Sequence, residues 1–80
     1  MLDRRKYGRQ LQCIDQDTYQ MKWYTPRNLD VAFAMAEVTA ATADRRWLFK
    51  ILNFRGTTAD DPIIFDADTM EQFKKEYLRL

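Results

Sequence analysis

Between Asn28 and Asp44 the apolar positions recur with helical spacing. Leu29, Ala32, Phe33, Ala36, Ala40 and Ala43 fall on one stripe of an α-helix, and Val31, Met35 and Val38 widen that stripe to one side. A narrow band stays acidic: Asp30, Glu37 and Asp44, at intervals of seven. So broad an apolar arc exceeds what a surface helix needs to cover one side of a sheet. The expectation is that part of it meets a second helix or another chain.

On either side of this segment the period shortens toward two. Gln10 to Asp15 reads as a strand with Leu11 and Cys13 on its inner face, and Thr18 to Thr25 as a second strand, where Tyr19, Met21 and Trp23 alternate with Gln20, Lys22 and Tyr24. Asp15, Gln16 and Asp17 have the turn chemistry to join them into a hairpin. Thr25 and Pro26 mark the entrance to the helix, which starts between Pro26 and Leu29 with Thr25 or Asn28 as its cap. It ends near Asp44, where Arg45 and Arg46 are placed to meet the carbonyl end.

From Arg46 to Phe54 a third strand places Trp47, Phe49 and Ile51 on one side and Leu48, Leu52 and Phe54 on the other. A strand apolar on both sides is central or covered on both faces. Gly56 to Pro62 is a loop, Ile63 to Phe65 a short fourth strand, and Asp68 with Glu71 has the spacing of a capping box. The box opens a second helix with Met70, Phe73, Tyr77 and Leu78 on one face. The order β-β-α-β-β-α predicts a small two-layer α+β domain, an antiparallel or mixed four-stranded sheet with two helices. All 80 residues belong to one domain, and residues 1–9 form a basic arm, loose or a short helical turn.

Composition narrows the classes. Apolar residues make up 46% and aromatics 14% of the chain, too many for disorder. The length is near the lower limit for a core without metals or disulfides, so stability is expected to be modest. Thirteen Lys and Arg against twelve Asp and Glu leave a net charge of +1, which supplies no global field toward nucleic acid or an anionic membrane. Any such partner has to be met by a local patch. No apolar run approaches the roughly 20 residues of a membrane span. A single cysteine and a start without the apolar run of a secretion signal make a reducing, cytoplasmic setting the expectation.

Catalytic chemistry is hard to find. The chain contains neither histidine nor serine, the commonest general base and the commonest hydroxyl nucleophile. Cys13 is the remaining conventional nucleophile, and its place beside Leu11 in a strand predicts a buried apolar side chain, not a thiolate. Asp60, Asp61, Asp66, Asp68 and Glu71 form an acidic run that matches no calcium loop, and loop shaping and helix capping account for them. Gly56, Thr57 and Thr58 lack the spacing of a phosphate-binding loop. The expectation is no enzyme, no cofactor and no metal.

Binding is better supported. Tyr19, Tyr24, Trp23, Trp47, Phe49, Phe54, Phe73 and Tyr77 are more aromatic side chains than a two-layer domain of this size readily buries, and clustered exposed aromatics mark contact sites. The candidates for contact with a larger protein are Tyr24, Trp47 and Phe54, with Arg45, Arg46 and Arg55 around them and Asp30, Glu37 and Asp44 as a second face. A homodimer fits this pattern as well as a monomer. Small size and missing chemistry suit a regulator or inhibitor such as a virus or mobile element encodes. The alternative is an RNA- or DNA-binding accessory protein using Arg4, Arg5, Lys6 and Arg9 of the arm with Arg45, Arg46 and Lys50 of the third strand, interleaved with aromatic platforms. Cross-strand pairing of those charges with the acidic stretch Asp60 to Asp68 is the competing structural account.

Overall fold

The structure is a computed structural model, and it describes residues 7–53 and 62–78. Its elements are β1 (Tyr7–Asp15), β2 (Met21–Tyr24), α1 (Leu29–Thr42), β3 (Trp47–Asn53), β4 (Ile63–Asp66) and α2 (Met70–Leu78). The strands form one antiparallel sheet in the order β2-β1-β3-β4. The two-layer α+β architecture is therefore the one expected, with β3 inside the sheet as its two apolar sides require.

Local chemistry sets the boundaries. Asn28 caps α1: its Oδ1 accepts the Val31 amide at 2.9 Å. The helix closes two residues earlier than expected, at Thr42, and the Trp47 indole Nε1 donates to the Ala43 carbonyl at 3.0 Å, tying the helix exit to β3. At the entrance to α2 the polar exchange is made by Asp66 and Thr69, not by the anticipated Asp68 and Glu71. The Thr69 amide donates to the Asp66 carboxylate at 2.9 Å and the Asp66 amide to the Thr69 hydroxyl at 3.1 Å. Thr69 supplies a shorter, better placed acceptor for the strand end than Glu71 can.

Two strands differ from their expected limits. β1 begins at Tyr7, so the last three residues of the anticipated arm are strand, with a register irregularity between Tyr7 and Gln10. Residues 1–6 lie outside the described residues. β2 is only four residues long, because Asp15 organises a longer turn than three residues. Its Oδ1 accepts the amides of Asp17 at 2.9 Å and Thr18 at 3.4 Å, its carbonyl accepts the Tyr19 amide at 2.7 Å, and its own amide donates to the Gln20 carbonyl at 2.9 Å. Tyr19 sits at φ 61, in the left-handed region, and so cannot continue the strand.

Both helices pack on one face of the sheet. On that face Leu11, Cys13, Phe49, Ile51, Ile63 and Phe65 meet Leu29, Ala32, Phe33 and Ala36 of α1 and Met70 of α2. Phe65 is the hub: its ring stacks on Phe33 of α1 at 5.0 Å, Phe49 of β3 at 5.3 Å and Phe73 of α2 at 5.8 Å between centroids. Four elements converge on one side chain.

Removing that ring by Phe65→Ala is expected to cost about 3–5 kcal/mol, against a total of roughly 4–12 kcal/mol for a chain of this length. Far-UV circular dichroism on heating should show a transition that is lost or moved to much lower temperature. Tyr19 is 82% exposed and makes its backbone conformation at a steric cost. Tyr19→Gly should therefore stabilise the fold by about 1 kcal/mol, read as a raised midpoint in the same experiment; an unchanged or lowered midpoint would mean that the phenol ring contributes more than the strain removes.

Candidate functional site on the open face of the sheet

Strand pairing assigns every side chain to a face. Opposite the helices the register builds two rows across the sheet: Met21, Ile14, Leu48 and Asp66 in one, and Trp23, Gln12, Lys50 and Ile64 in the next. Among the described residues no helix covers this face. Trp23 is 55% exposed, and Met21 and Ile64 are 43% exposed, while Ile14 and Leu48 are half-buried between them. Leu52, farther along the same face, is buried. An apolar patch spanning all four strands, with Lys50 as its one cation and Asp66 at its border, has the composition of a contact surface.

The anticipated contact residues are distributed otherwise. Trp47 is a correction: it is 4% exposed on the helix side, hydrogen-bonded to Ala43 and stacked at 6.4 Å on Phe49, so it cannot present its ring to a partner. Phe49 is likewise in the core. Tyr24 is half-buried against the core. Phe54 and Arg55 lie outside the described residues, as do Asp60, Asp61 and Gly56 to Thr58. In the acidic band, Glu37 forms an ion pair with Lys74 of α2, while Asp30 and Asp44 are exposed.

The Arg45 and Arg46 side chains do not cap the end of α1. They reach the β1–β2 turn. Arg45 donates to Asp15 Oδ2 at 2.8 Å and Arg46 to Asp17 Oδ1 at 2.9 Å, because β3 enters the sheet antiparallel to β1 and delivers both arginines beside that turn. The Arg45 guanidinium, the amides of Asp17 and Thr18 and the Thr18 hydroxyl hold the Asp15 carboxyl down at about 2. Asp15, Arg45, Lys22, Gln20, Met21 and Trp47 line a cleft of about 350 Å³, with the Lys22 ammonium 5.9 Å from the Trp47 ring centre. Its charges are largely satisfied within the fold.

This geometry separates the residues of the nucleic-acid reading. Arg45 and Arg46 are matched by carboxylates at the Asp15 end of β1. Lys50 lies on the open face, and the aromatics between these cations, Trp47 and Phe49, are buried on the other side of the sheet. Arg4, Arg5 and Lys6 and the Arg9 side chain lie outside the described residues; nine residues of β1 separate the start of that strand from the Asp15 turn, roughly 27 Å at strand rise.

Cys13 is fully buried, and burial pushes its thiol up to about 11 despite a hydrogen bond with Thr39 and the nearby Lys22 charge. The Thr39 hydroxyl donates to the Met35 carbonyl at 2.8 Å. Such a thiol is a core side chain, not a nucleophile. Among the described residues no three acidic, cysteine or histidine side chains gather as a metal would require, and no helix is long and apolar enough to cross a membrane.

Sequence reasoning missed Met21, Trp23 and Ile64. The signal was present in the alternation: Ile14, Leu48, Leu52 and Ile64 are apolar on positions that leave the core face, and two helices suffice to cover only one side of four strands.

Because the Asp15 carboxyl titrates lower folded than unfolded, its contribution to stability is complete above pH about 4, where the unfolded carboxylate is ionised, and is lost as pH falls toward 2. Denaturant melts across that window should show stability dropping, and Asp15→Asn should be less stable at pH 7 with a shallower acid decline. An equally steep decline in the variant would assign it to other carboxylates. Compared with known proteins, the chain matches no family model, no curated protein and no solved structure.

Proposed function

We propose that the protein is a small non-enzymatic binding module, a regulator or inhibitor that acts by occupying the surface of a larger protein with the open face of its sheet. The observation that carries this reading is the exposure of Trp23, Met21 and Ile64 on one continuous face. Half-exposed apolar side chains gain only part of their burial energy in the isolated fold, whereas a tryptophan set among aliphatic neighbours is the kind of residue on which binding energy concentrates. Ile14 and Leu48 lie between them and make the patch continuous. Lys50 supplies a polar group that orients a partner.

The lack of histidine and serine and the buried, protonated Cys13 speak against a catalytic role. The nucleic-acid reading is weakened by the Asp15–Arg45 and Asp17–Arg46 pairs. A regulatory role, in a virus or mobile element as elsewhere, needs only such a surface.

Capture from a lysate of the source cells tests this. A protein retained by the wild-type chain should be lost, or bound roughly 30-fold more weakly, with Trp23→Ala or Ile64→Lys, the scale of a hot-spot loss of about 2 kcal/mol, and kept with Arg46→Glu. Retention by both face variants would sink the proposal. So would tight binding of an oligonucleotide whose affinity falls steeply with salt.

A further inference from the structure

Two hydrogen bonds decide which main-chain groups of β2 remain open. The Asp15 amide donates to the Gln20 carbonyl at 2.9 Å, and the Gln16 amide to the Arg46 carbonyl at 3.0 Å. Carried along the antiparallel registers, they turn the main chain of Leu11, Cys13 and Asp15 toward β2 and that of Gln10, Gln12 and Ile14 toward β3. Lys22 and Tyr24, opposite Cys13 and Leu11, therefore bond to β1. The amides and carbonyls of Met21 and Trp23 face outward, where no described strand meets them. At the other edge of the sheet the Asp66 amide is already taken by the Thr69 hydroxyl.

On the helix face of β2 stand Lys22 and Tyr24, and no helix covers them, because α1 packs on β1 and β3 and not on β2. At the Tyr24 end the flank of α1 formed by Val31, Ala34, Met35 and Val38 leaves a groove of about 290 Å³ beside that ring. At the Lys22 end lies the cleft shared with Gln20, Arg45, Asp15 and Trp47. The Asp15 carboxylate there is fully engaged: Oδ1 accepts the Asp17 and Thr18 amides, and Oδ2 accepts from Arg45. Lys22 is exposed and has no carboxylate partner among the described residues, and Arg45 is half-exposed. Two cations against one engaged carboxylate leave the cleft positive.

We infer that the β2 edge accepts an extended segment of a partner protein as a fifth, antiparallel strand, with an apolar side chain opposite Tyr24 and an acidic one two residues later opposite Lys22. Amides and carbonyls presented at alternate residues are matched by an extended chain; a helix seated in the groove leaves all four to water. Antiparallel addition is the more stable per residue. Partner residues facing Met21 and Trp23 exchange the hydrogen bonds. Those facing Lys22 and Tyr24 form the non-bonded pairs, with Cα atoms roughly 4.5 Å apart and side chains in closest contact. At that range opposite charges attract and like charges repel, so Lys22 selects a carboxylate, with Arg45 in the same cleft. Tyr24, beside an uncharged groove, selects an apolar group. A second copy of β2 does not meet this demand, because Met21–Tyr24 carries a lysine and no acid.

The probe is the peptide acetyl-Thr-Thr-Leu-Thr-Glu-Thr-Thr-amide, titrated into the full chain and followed by amide NMR and hydrogen exchange. Exchange of the Met21 and Trp23 amides should slow roughly tenfold when free peptide is ten times its dissociation constant, while the Lys22 and Tyr24 amides, already bonded to β1, keep their rates. Lys22→Glu should bind this peptide roughly tenfold more weakly and prefer the version with Lys in place of Glu; that exchange of preference separates a lost contact from a lost fold. Val38→Lys should weaken both peptides. Ile64→Lys, which removes the open-face contact, should weaken neither, so this site and the proposed binding face fail separately. No binding at millimolar peptide, equal affinity of Lys22→Glu for the two peptides, or protection of the Ile64 amide in place of Met21 and Trp23 would overturn the inference. So would a doubled mass by light scattering with the Met21 and Trp23 amides protected before peptide is added, which gives the edge to a second copy.

Discussion

The fold depends on the stack of rings around Phe65. One phenyl group from the edge strand β4 touches a ring from α1, a ring from β3 and a ring from α2, and Trp47 and Tyr77 extend the stack through Phe49 and Phe73. An 80-residue chain buries a smaller share of its surface than a larger one, so its core cannot be spread over two faces of the sheet. Concentrating the aromatic groups on one side is the physically available solution. Its consequence is that the other side, although rich in Ile14, Leu48, Met21, Trp23 and Ile64, has no helix among the described residues to cover it.

Charge follows the same economy. Arg45 and Arg46 meet Asp15 and Asp17, and Lys74 meets Glu37. Asp15 differs from the other members of these pairs because its side chain is almost fully enclosed while Arg45 remains half-exposed. A carboxylate held that closely, with its own backbone closing the turn, fixes the β1–β2 connection and forces Tyr19 into a left-handed conformation. The same residue therefore determines where β2 starts, how short it is, and how much of its edge is left for another strand.

The element order, the helix limits to within two residues and the central position of β3 were legible because they rest on periodicity and local caps. Asn28 and the alternation of Trp47, Phe49 and Ile51 are local signals. The contact surface was less legible because it depends on which alternating set meets the helices. Trp47 was expected to be exposed from the count of aromatics, yet its pairing with Asp15 puts it on the helix face, where its indole bonds to Ala43. Trp23, in β2 with the same alternation, goes to the other face. The charge partners of Arg45 and Arg46 were also misplaced, since only the antiparallel β1–β3 register brings Asp15 and Asp17 beside them.

The excess apolar surface divides into two parts with different physical character. On the sheet face, Trp23, Met21 and Ile64 present side chains alone, so a partner lying flat on it gains contact area and little main-chain bonding. At the β2 edge the backbone itself is open, and the uncharged flank of α1 stands next to it. Edge strands are commonly protected by inward charges, bulges or proline; here Lys22 is drawn inward over Trp47, and Pro26 comes only after the strand has ended. One lysine is weak protection for four residues of edge beside a greasy helix. The two surfaces therefore offer different things: side-chain contact alone on the broad face, and open backbone beside an uncharged groove at the edge.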